Sequence, residues 1–591
     1  MTLKEQIKNQ LTTVVNNLGI KDVTVLVDYP ADATHGDYST NVALIAAKKA
    51  GKNPMELAEK IVEELTKKNT ESKMFNEIHV AKPGFINFWL SSEALVKSLS
   101  ISTEPKSEAD NKKIMVEFAH PNTHKAFHIG HLRNITTGES LIRLLEAVGA
   151  KVIRANYQGD VGMHIAKAMF GLTMLIGEDK IDLKGLEFEN SSNVPERILN
   201  IVKALGKRDI QKRISLLGEA YAYGSKLFEE NGKETAAIKE INKSIYNHEW
   251  GIYKPYEEVY TITRQWSLDY FNEIYKRVYS HFDRLYFESE TFQPGKENVL
   301  KGLEKGIFEK SDGAIIFPGS IYGLHDRVFI SSEGNPTYEG KDMGLAPLQH
   351  KEYHPDLIIH VLGPEQYGYT RVIFKALDLL FPEDAGKQLH LVYGWVKLKH
   401  GKMSSRTGNV ILGEWLLDEA KKKILESYDI KDEVAEQVAI GAVKYSFLKV
   451  GLNQEIAFDL EESISLQGNS GPYLQYTYAR TQSVLAKSQI AELKSQKFAE
   501  SVVLKVEERN ILRLLSRFPE IVEEAAVRYS PNILCTYLFE LAQAFNLFYQ
   551  KFPILKAEEN EKKFRLMLTD RTGETLKKGL DLLGIQAPEK M

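Results

Sequence analysis

The sequence predicts an α/β fold in which a Rossmann-like parallel sheet lies between an α+β N-terminal domain and an all-α C-terminal domain. Three observations lead to this prediction. A strand, a helix and a second strand follow one another within residues 114–157, which is a βαβ unit. Strand patterns return at 356–362 and 391–398 after a long helical stretch. From about residue 413 onward the apolar spacing is almost entirely helical.

Length and composition predict a multidomain globular protein. With 591 residues the chain exceeds a single hydrophobic core, and we predict domains at 1–100, 113–412 and 413–591, with a helical insertion at about 165–313. Hydrophobic residues make up 43% and charged residues 26%, and no apolar run of about 18 residues predicts a membrane span. The single cysteine, Cys535, excludes an internal disulfide and a multi-cysteine zinc site. The charged N-terminus is not a secretory signal, so we expect a cytoplasmic protein.

The net charge does not point to a nucleic-acid partner. The formal charge is −4, whereas a surface built throughout for nucleic acid is usually basic. Any RNA would therefore be held by local basic patches and by shape.

A candidate phosphate site lies between the first strand and its helix, at residues 120–131. Doubly wound folds bind phosphates there, because free backbone N–H groups and the helix dipole favour negative charge. His128 and His131 offer imidazole N–H donors, and Gly130 would let a flat base approach the backbone closely. Together with His124 they could instead bind a metal. No acidic residue lies within the cluster, so this alternative is less favoured.

A second candidate phosphate-binding segment, residues 401–410, follows the strand pattern at 391–398. Its flanking glycines permit a mobile loop, Lys402 could neutralise pyrophosphate charge, and the hydroxyls of Ser404 and Ser405 could bond it. The alternative is an ordinary exposed basic turn.

The two segments resemble the signature motifs of class I aminoacyl-tRNA synthetases. Residues 128–131 look like the HIGH motif, and the longer run 121–133 is similar to the arginyl family in particular. The downstream segment resembles the KMSKS loop, with Ser405 in place of the second lysine and Arg406 in place of the last serine. In the family a lysine just upstream of HIGH is thought to compensate, and Lys125 occupies that position. How phosphate stabilisation divides among Lys125, Lys402 and Arg406 stays open.

A pocket for arginine needs carboxylates, because the guanidinium carries a charge and five N–H donors. Glu117 lies within the first apolar strand, so it should meet a cation or a donor, and an internal lysine or arginine is the alternative to a substrate. By resemblance, Tyr338 and Asp342 match the tyrosine and aspartate that hold the guanidinium. By the same resemblance, the amino-acid pocket is lined by residues at three further positions: Glu117, Asn122 and Gln366.

The chain departs from the family pattern at two places near this pocket. Gly340-Lys341 stands where the family usually has Thr-Arg before the aspartate. Residues 159–164, Gly-Asp-Val-Gly-Met-His, stand where it has Gly-Asp-Trp-Gly-x-Gln.

Candidate tRNA contacts lie at both ends of the chain. Tyr473, Tyr476 and Arg480 fall on one helical face and suit stacking on unpaired bases, although core packing is the better interpretation for at least one tyrosine. This run and the chain end at Met591 resemble the family's anticodon-binding domain. The segment 35–41, with Tyr38, resembles the N-terminal domain that contacts the tRNA elbow.

The resemblance implies a ligase that activates L-arginine with ATP and Mg²⁺ and transfers it to tRNA(Arg), without zinc, without a membrane, and as a monomer. Three alternatives remain. They are a class I synthetase for another amino acid, a non-catalytic tRNA-binding relative, and a small HIGH-type nucleotidyltransferase. Tyr338 and Asp342 favour a basic substrate. The intact His128, His131 and Lys125 argue against a non-catalytic relative, which needs no phosphate donors.

Overall fold

A computed structural model describes residues 2–30, 32–99, 109–230, 232–247, 250, 254–399, 411–488 and 504–591. The candidate loop at 401–410, with Lys402, Ser404, Ser405 and Arg406, lies outside these residues. Within the described ranges, no helix combines the length and apolar character that crossing a membrane requires.

The N-terminal region is α+β, as predicted. Its three-stranded antiparallel sheet has the order β1-β3-β2. Alternate residues of β3, namely Ile86, Phe88 and Leu90, are buried, which is the period-two pattern of a sheet with one covered face. The elements are α1 (Leu3–Asn17), β1 (Tyr38–Thr40), α2 (Val42–Ala50), α3 (Pro54–Ser72), β2 (Phe75–Ala81), β3 (Phe85–Leu90) and α4 (Ser92–Ser98).

The central region contains the predicted parallel sheet. Its strands are β4 (Lys113–Glu117), β5 (Lys151–Gln158), β6 (Arg284–Phe287), β10 (Leu357–Leu362) and β11 (Gln388–Val392). They lie in the order β11-β10-β4-β5-β6, and every neighbouring pair is parallel. Parallel strands bring their carboxyl ends to one edge, so the residues after β4, β5 and β10 share one crevice.

Helix α5 (Ile129–Ala147) connects β4 to β5 and lies at the centre of the molecule. It begins three residues before the apolar stretch predicted from 132, because the side chain of His128 caps its N-terminus. Its side chains belong to two hydrophobic clusters, with Leu132 in one and Leu144 in the other. The helix therefore joins the core of the central sheet to the core of the C-terminal helices.

The segments between β5 and β11 are mostly helical. Between β5 and β6 the described residues form the helices α6 (Met163–Gly177), α7 (Val194–Leu205), α8 (Ile210–Glu229), α9 (Lys233–Asn247) and α10 (Lys254–Arg277). Strand β6 lies within the span predicted as an insertion, yet it pairs with β5 in the main sheet. It is followed by α11 (Glu288–Glu304), a small antiparallel sheet of β7 (Glu309–Ser311), β8 (Ala314–Phe317) and β9 (Arg327–Ile330), and by α12 (Tyr338–Tyr353) and α13 (Tyr367–Leu380).

The strand predicted at 391–398 is two strands. After β11 the chain leaves the main sheet at Gly394, whose N–H donates to the carbonyl of Leu452 at 2.9 Å. A side chain at position 394 would overlap the carbonyl of Gln454, so this close approach requires glycine. The following strand β12 (Val396–Leu398) then pairs with β13 (Ile456–Phe458) in a separate two-stranded sheet.

The C-terminal region is helical apart from the short β13, as predicted. Its helices are α14 (Gly413–Ser427), α15 (Asp432–Leu448), α16 (Leu460–Ser463), α17 (Gly471–Ser488), α18 (Val506–Val527), α19 (Pro531–Lys551) and α20 (Glu559–Leu582). Side chains of these helices and of the N-terminal region form one hydrophobic cluster, so the two ends of the chain share a core.

Candidate active site

A cavity of about 390 Å³ opens at the carboxyl ends of the parallel strands. Its wall contains all the residues predicted for arginine binding: Glu117, Asn122, Tyr338, Asp342 and Gln366. They come from β4, the loop after it, α12 and the turn before α13, so the fold brings together side chains that are far apart in sequence. The position agrees with the general rule for ligands in open α/β sheets.

Glu117 is buried, and each of its oxygens accepts from one protein donor. Its Oε2 accepts from Gln349 Nε2 at 2.6 Å, and its Oε1 lies 3.1 Å from His360 Nδ1. Burial raises the pKa of Glu117, but the charge and hydrogen bond of His360 outweigh it and hold the pKa below its usual value. The carboxylate therefore has an internal partner, which is a histidine with an amide, not the lysine or arginine considered above.

Asp342 is in a different situation from the other carboxylates of the cavity. It accepts a hydrogen bond from the Tyr369 hydroxyl at 2.7 Å, and burial raises its pKa to about 7. Within the described residues no lysine, arginine or histidine nitrogen forms an ion pair with it. The other three carboxylates of the wall each have a cation partner: Glu117 with His360, Glu288 with Lys341, and Glu339 with Arg327. Asp342 is thus the carboxylate left for an incoming cation.

The first departure from the family pattern has a physical explanation. A side chain at Gly340 would overlap the backbone carbonyl of Phe329, so the family's threonine does not fit this backbone. Lys341 keeps the positive charge of the family's arginine: its Nζ lies 2.6 Å from Glu288 Oε2 in a buried ion pair. The same Nζ lies 4.9 Å from the centre of the Tyr338 ring.

The second departure, at residues 159–164, leaves the aspartate of the segment well supported. Asp160 accepts from Arg264 at 2.8 Å and from the Ser289 hydroxyl at 2.7 Å. His164, in place of the family's glutamine, is held neutral because burial lowers its pKa to about 3.

The start of α5 fixes both histidines of the HIGH-like motif. The Nδ1 atom of His128 accepts from the N–H groups of Gly130 and His131, at 3.1 and 3.3 Å, and the Nδ1 atom of His131 accepts from the N–H of His128 at 3.2 Å. A ring that accepts at Nδ1 is neutral and carries its proton on Nε2. Burial lowers the pKa of both rings, which also favours the neutral form. The motif therefore offers two neutral Nε2–H donors.

His124 does not join these two rings. Its nitrogens lie 2.8 Å from the Thr263 hydroxyl and 3.2 Å from the Thr123 hydroxyl, inside the protein. Across the described ranges, no three His, Cys, Asp or Glu side chains are grouped as they would be around a metal ion. Lys125 lies on the same loop, with its Nζ 5.8 Å from the centre of the Tyr221 ring.

Three of the predicted tRNA contacts, Tyr473, Tyr476 and Arg480, form one cluster with residues of α19. The guanidinium of Arg480 lies 4.9 Å from the ring centre of Tyr476 and 5.1 Å from that of Tyr549. Arg480 also bonds the side-chain oxygen of Asn546, whose amide donates to the Tyr473 hydroxyl at 2.9 Å. Tyr473 is thus tied into internal packing, as expected for at least one of the tyrosines.

Tyr38 requires a correction. It is 1% exposed, and its hydroxyl donates to Glu520 of α18 at 3.0 Å. The side chain therefore joins the N-terminal region to the C-terminal helices and has no face available for stacking on RNA. Met591 is half-buried and packs against the hydrophobic cluster of the central region.

The sequence interpretation missed several residues of the cavity wall. They include His360, Gln349, Tyr369 and Glu288. One of them had a usable signal: His360 is a polar residue inside the apolar strand β10, as Glu117 is inside β4, and the two are register partners. The argument that a buried polar group needs a partner applies equally to both.

Comparison with known proteins identifies the family. "Arginyl tRNA synthetase N terminal domain" matches residues 1–90, "tRNA synthetases class I (R), catalytic domain" matches 93–460, and "DALR anticodon binding domain" matches 474–591. An arginine–tRNA ligase of Treponema denticola is 36% identical over 500 residues, covering 82% of this chain and 80% of that protein. One from Parabacteroides distasonis is 30% identical over 625 residues and covers 100% of both chains.

The fold comparison agrees. The arginyl-tRNA synthetase of Thermus thermophilus superposes with a TM-score of 0.77 at 25% identity, covering 100% of both chains. That of Plasmodium falciparum gives 0.76 at 22% identity, covering 100% of this chain and 99% of that one, which supports the fold. These matches confirm the family predicted from the two motifs and the pocket residues, and do not favour a synthetase for another amino acid: the chain belongs to the arginyl-tRNA synthetase family of class I aminoacyl-tRNA synthetases.

Proposed function

We propose that this chain activates L-arginine with MgATP to give arginyl-adenylate and pyrophosphate, and then transfers the arginyl group to the 3′ end of tRNA(Arg), releasing AMP. The observation that carries the substrate assignment is Asp342, the cavity carboxylate without an ion-pair partner in the described part of the chain. A guanidinium supplies both the charge and the N–H donors that this group needs. Tyr338, which also belongs to the cavity wall, is 62% exposed.

The remaining pocket residues suit the polar end of an amino acid. Asn122 and Gln366 line the cavity with uncharged amides, and Glu117 keeps lone pairs on both oxygens beyond its two internal donors. We infer that these three groups hold the ammonium and orient the carboxylate of arginine.

The chemistry needs no protein nucleophile. The arginine carboxylate attacks the α-phosphorus of ATP, and pyrophosphate leaves, so positioning and electrostatics supply most of the acceleration. The Nε2–H groups of His128 and His131 donate to phosphate oxygens as charge is redistributed, and Lys125 adds a positive charge. Gly130 lets the adenine approach the helix start. Lys402, Ser404 and Ser405 lie outside the described residues, and their role toward pyrophosphate rests on their resemblance to the KMSKS loop.

Magnesium enters this scheme as part of the substrate. No protein ligand is assigned to it, since the described residues contain no group of three metal-binding side chains. A monomeric state, a cytoplasmic location and the domain boundaries at 1–100, 113–412 and 413–591 stay predictions.

For tRNA we propose the surface formed by the expected residues Tyr476 and Arg480, together with Tyr549, as a contact for unpaired bases. Met591 is proposed as a further contact, on its resemblance to the family's chain end. An arginine between two aromatic rings offers stacking and positive charge together. Arg480→Ala is expected to raise the KM for tRNA(Arg) about tenfold and to leave the KM for arginine unchanged. Tyr38→Phe is the contrasting variant: because Tyr38 is buried, it should lower thermal stability without raising the KM for tRNA.

The test of the main proposal is amino-acid-dependent ATP–pyrophosphate exchange, measured with and without tRNA(Arg). Arginine should support exchange and charging, and the family implies that exchange requires the tRNA. Citrulline has the same shape as arginine without the charge, and lysine has the charge without the planar guanidinium. Both should be poorer substrates than arginine by about a thousandfold or more. Efficient exchange with citrulline, or with an unrelated amino acid, would remove the role proposed for Asp342.

A further inference from the structure

His360 lines the cavity and is 7% exposed, yet the mechanism above gives it no role. Its Nδ1 lies 3.1 Å from Glu117 Oε1, and its Nε2 lies 2.6 Å from Gln388 Oε1. The ring thus has an oxygen acceptor at each nitrogen. An imidazole can serve both only by donating from both, and that form is the imidazolium.

The orientation of the Gln388 amide is set by a neighbouring histidine. Its Nε2 faces the Nε2 of His350 at 3.5 Å, and the Nδ1 of His350 lies 3.3 Å from Asp384. His350 therefore donates to Asp384 and accepts on its other nitrogen, which leaves the oxygen of Gln388 turned toward His360. A row of polar contacts runs in the order Asp384, His350, Gln388, His360 and Glu117, and its last three members line the cavity.

The charge of His360 matters for the cavity as a whole. With His360 charged, Glu117 is neutralised and Asp342 is the carboxylate whose charge has no counterpart. The same imidazolium favours ionisation of Asp342 and so opposes the burial, and the charges of Glu117 and Glu288, which raise its pKa. Without this charge the cavity wall would hold two uncompensated carboxylates, and like charges at close range resist ionising together.

We propose that His360 is a positioning residue for arginine: as an imidazolium held between Glu117 and Gln388, it favours the ionised form of Asp342, which binds the guanidinium. This inference rests on the proposed function. It differs from a packing role, because packing has no dependence on the protonation of Asp342. It also explains why a histidine stands inside an apolar strand directly beside the Glu117 strand.

The groups that face His360 come from every element around it. Its titratable neighbours are Glu117 of β4, His120 of the following loop, Asp342 of α12 and His390 of β11. Its uncharged neighbours are Gln388 and the Phe374 ring, whose centre lies 5.3 Å away. Burial lowers the pKa of His120, and lowers that of His390 to about 4, so both are neutral near pH 7. The charge balance near neutral pH is thus decided by Glu117, Asp342 and His360.

The test is the pH profile of kcat/KM for arginine in tRNA(Arg) charging, from pH 6 to 9, for the parent and His360→Gln. Removing the imidazolium should move the acid midpoint upward by about 0.5 to 1 pH unit. At pH 7 the KM for arginine should rise about two- to fivefold, at pH 9 by less than about 1.5-fold, and the KM for ATP should stay within about 1.5-fold at both. Loss at low pH that recovers at high pH is the expected signature. His281→Gln, at an exposed histidine outside the cavity, is the matched control and should follow the parent.

A parent-like profile in His360→Gln, or a loss by the same factor at every pH, would overturn the proposal. If this variant does not fold, the same pH profile measured on Gln388→Met tests the proposal. It removes the acceptor at Nε2 and should move the midpoint in the same direction by a smaller amount. Failure of the parent to charge tRNA(Arg) with arginine would instead contradict the proposed function, so the two failures are distinguishable.

Discussion

The backbone N–H of His128 donates to Nδ1 of His131, and the N–H of His131 donates to Nδ1 of His128. The two rings stack with their centres 3.6 Å apart at the first turn of α5. One local arrangement therefore both caps the helix and fixes the tautomer of each imidazole. Because the helix start itself orients the donors, no side chain from another element is needed to aim them.

This arrangement predicts that capping and catalysis by His128 can be separated. His128→Asn keeps an oxygen that can accept from the Gly130 and His131 N–H groups but removes the Nε2–H donor. It should reduce the rate of arginine activation about a hundredfold and leave thermal stability close to the parent. His128→Ala removes both and should also lose roughly 1 kcal/mol of stability.

The measurement is ATP–pyrophosphate exchange in the presence of tRNA(Arg), with calorimetric unfolding of the same samples. His131→Ala is the companion variant, expected to slow activation by a similar factor and to leave tRNA affinity nearly intact. Exchange at the parent rate in His131→Ala would exclude the role of these rings in phosphate stabilisation.

Asp342 gives a prediction in which stability and function move in opposite directions. Burial raises its pKa to about 7, so the folded protein holds this proton more tightly than the unfolded chain does. The carboxylate consequently destabilises the empty protein as pH rises from about 4 toward 7. Asp342→Asn should raise thermal stability, by an amount on the order of 1 kcal/mol or more that is larger at pH 8 than at pH 5, and should abolish arginine activation.

The same carboxylate sets the pH dependence of arginine binding in the parent. Arginine binds the ionised form, so the KM for arginine should fall about tenfold between pH 6 and pH 8. Steady-state charging at a saturating tRNA concentration measures it. A KM that is independent of pH over this range would contradict the raised pKa.

The sequence was sufficient to predict the order and type of the main elements. The strands β4 and β5 and the helix between them have patterns of clear period, and each was found within a few residues of its expected bounds. Strand β6 was missed because it has four residues and lies among long helices, where no periodicity can stand out. The break after β11 was missed because it depends on a backbone contact of Gly394 with a segment about sixty residues downstream.

The cavity could be predicted only in part. Residues that match a family motif, such as Tyr338 and Asp342, were found in its wall. His360 and Tyr369 belong to no motif identified in the sequence, and their importance comes from the carboxylates that they contact in the cavity wall. The opposite error was made at Tyr38, which the sequence predicted as a tRNA contact but which is buried. A motif does not reveal whether its tyrosine is covered by a distant helix.

Position 340, where the family usually has threonine, should require glycine in this chain because the surrounding backbone leaves no space for a side chain. In addition to the overlap with the Phe329 carbonyl, a side chain at Gly344, one turn further along α12, would meet the backbone of α11. Gly340→Thr should therefore destabilise the protein by about 2 kcal/mol or more, measured as a lower melting temperature. Gly368→Ala is the matched control: this helical glycine has open space around it, and alanine should leave stability unchanged or raise it slightly.

Lys444 connects the central and C-terminal regions, and we expect its contribution to the free energy of unfolding to depend on pH. It is 0% exposed, and its Nζ donates to the carbonyls of Val278 and Gly584 at 2.7 and 2.6 Å. Burial lowers its pKa to about 7, against the opposing charge of Glu139. A lysine in the unfolded chain titrates near 10.4. Between pH 7 and 10 Lys444 therefore binds a proton more strongly in the unfolded chain than in the folded protein. The free energy of unfolding should therefore rise with pH across this window.

Replacing this lysine should remove that rise. Lys444→Met leaves the two carbonyls without their donor, which costs about 1 to 3 kcal/mol, and the variant has no group to titrate. Its melting temperature should lie further below the parent at pH 9 than at pH 7, because only the parent gains stability over the interval. Lys422→Met, at an exposed position of α14, controls for loss of a lysine charge and should keep the parent's pH dependence. Parallel curves for Lys444→Met and the parent would mean that Lys444 stays protonated in the fold. The junction between the Val278 turn and the chain end at Gly584 would then be held by an ammonium throughout this pH range.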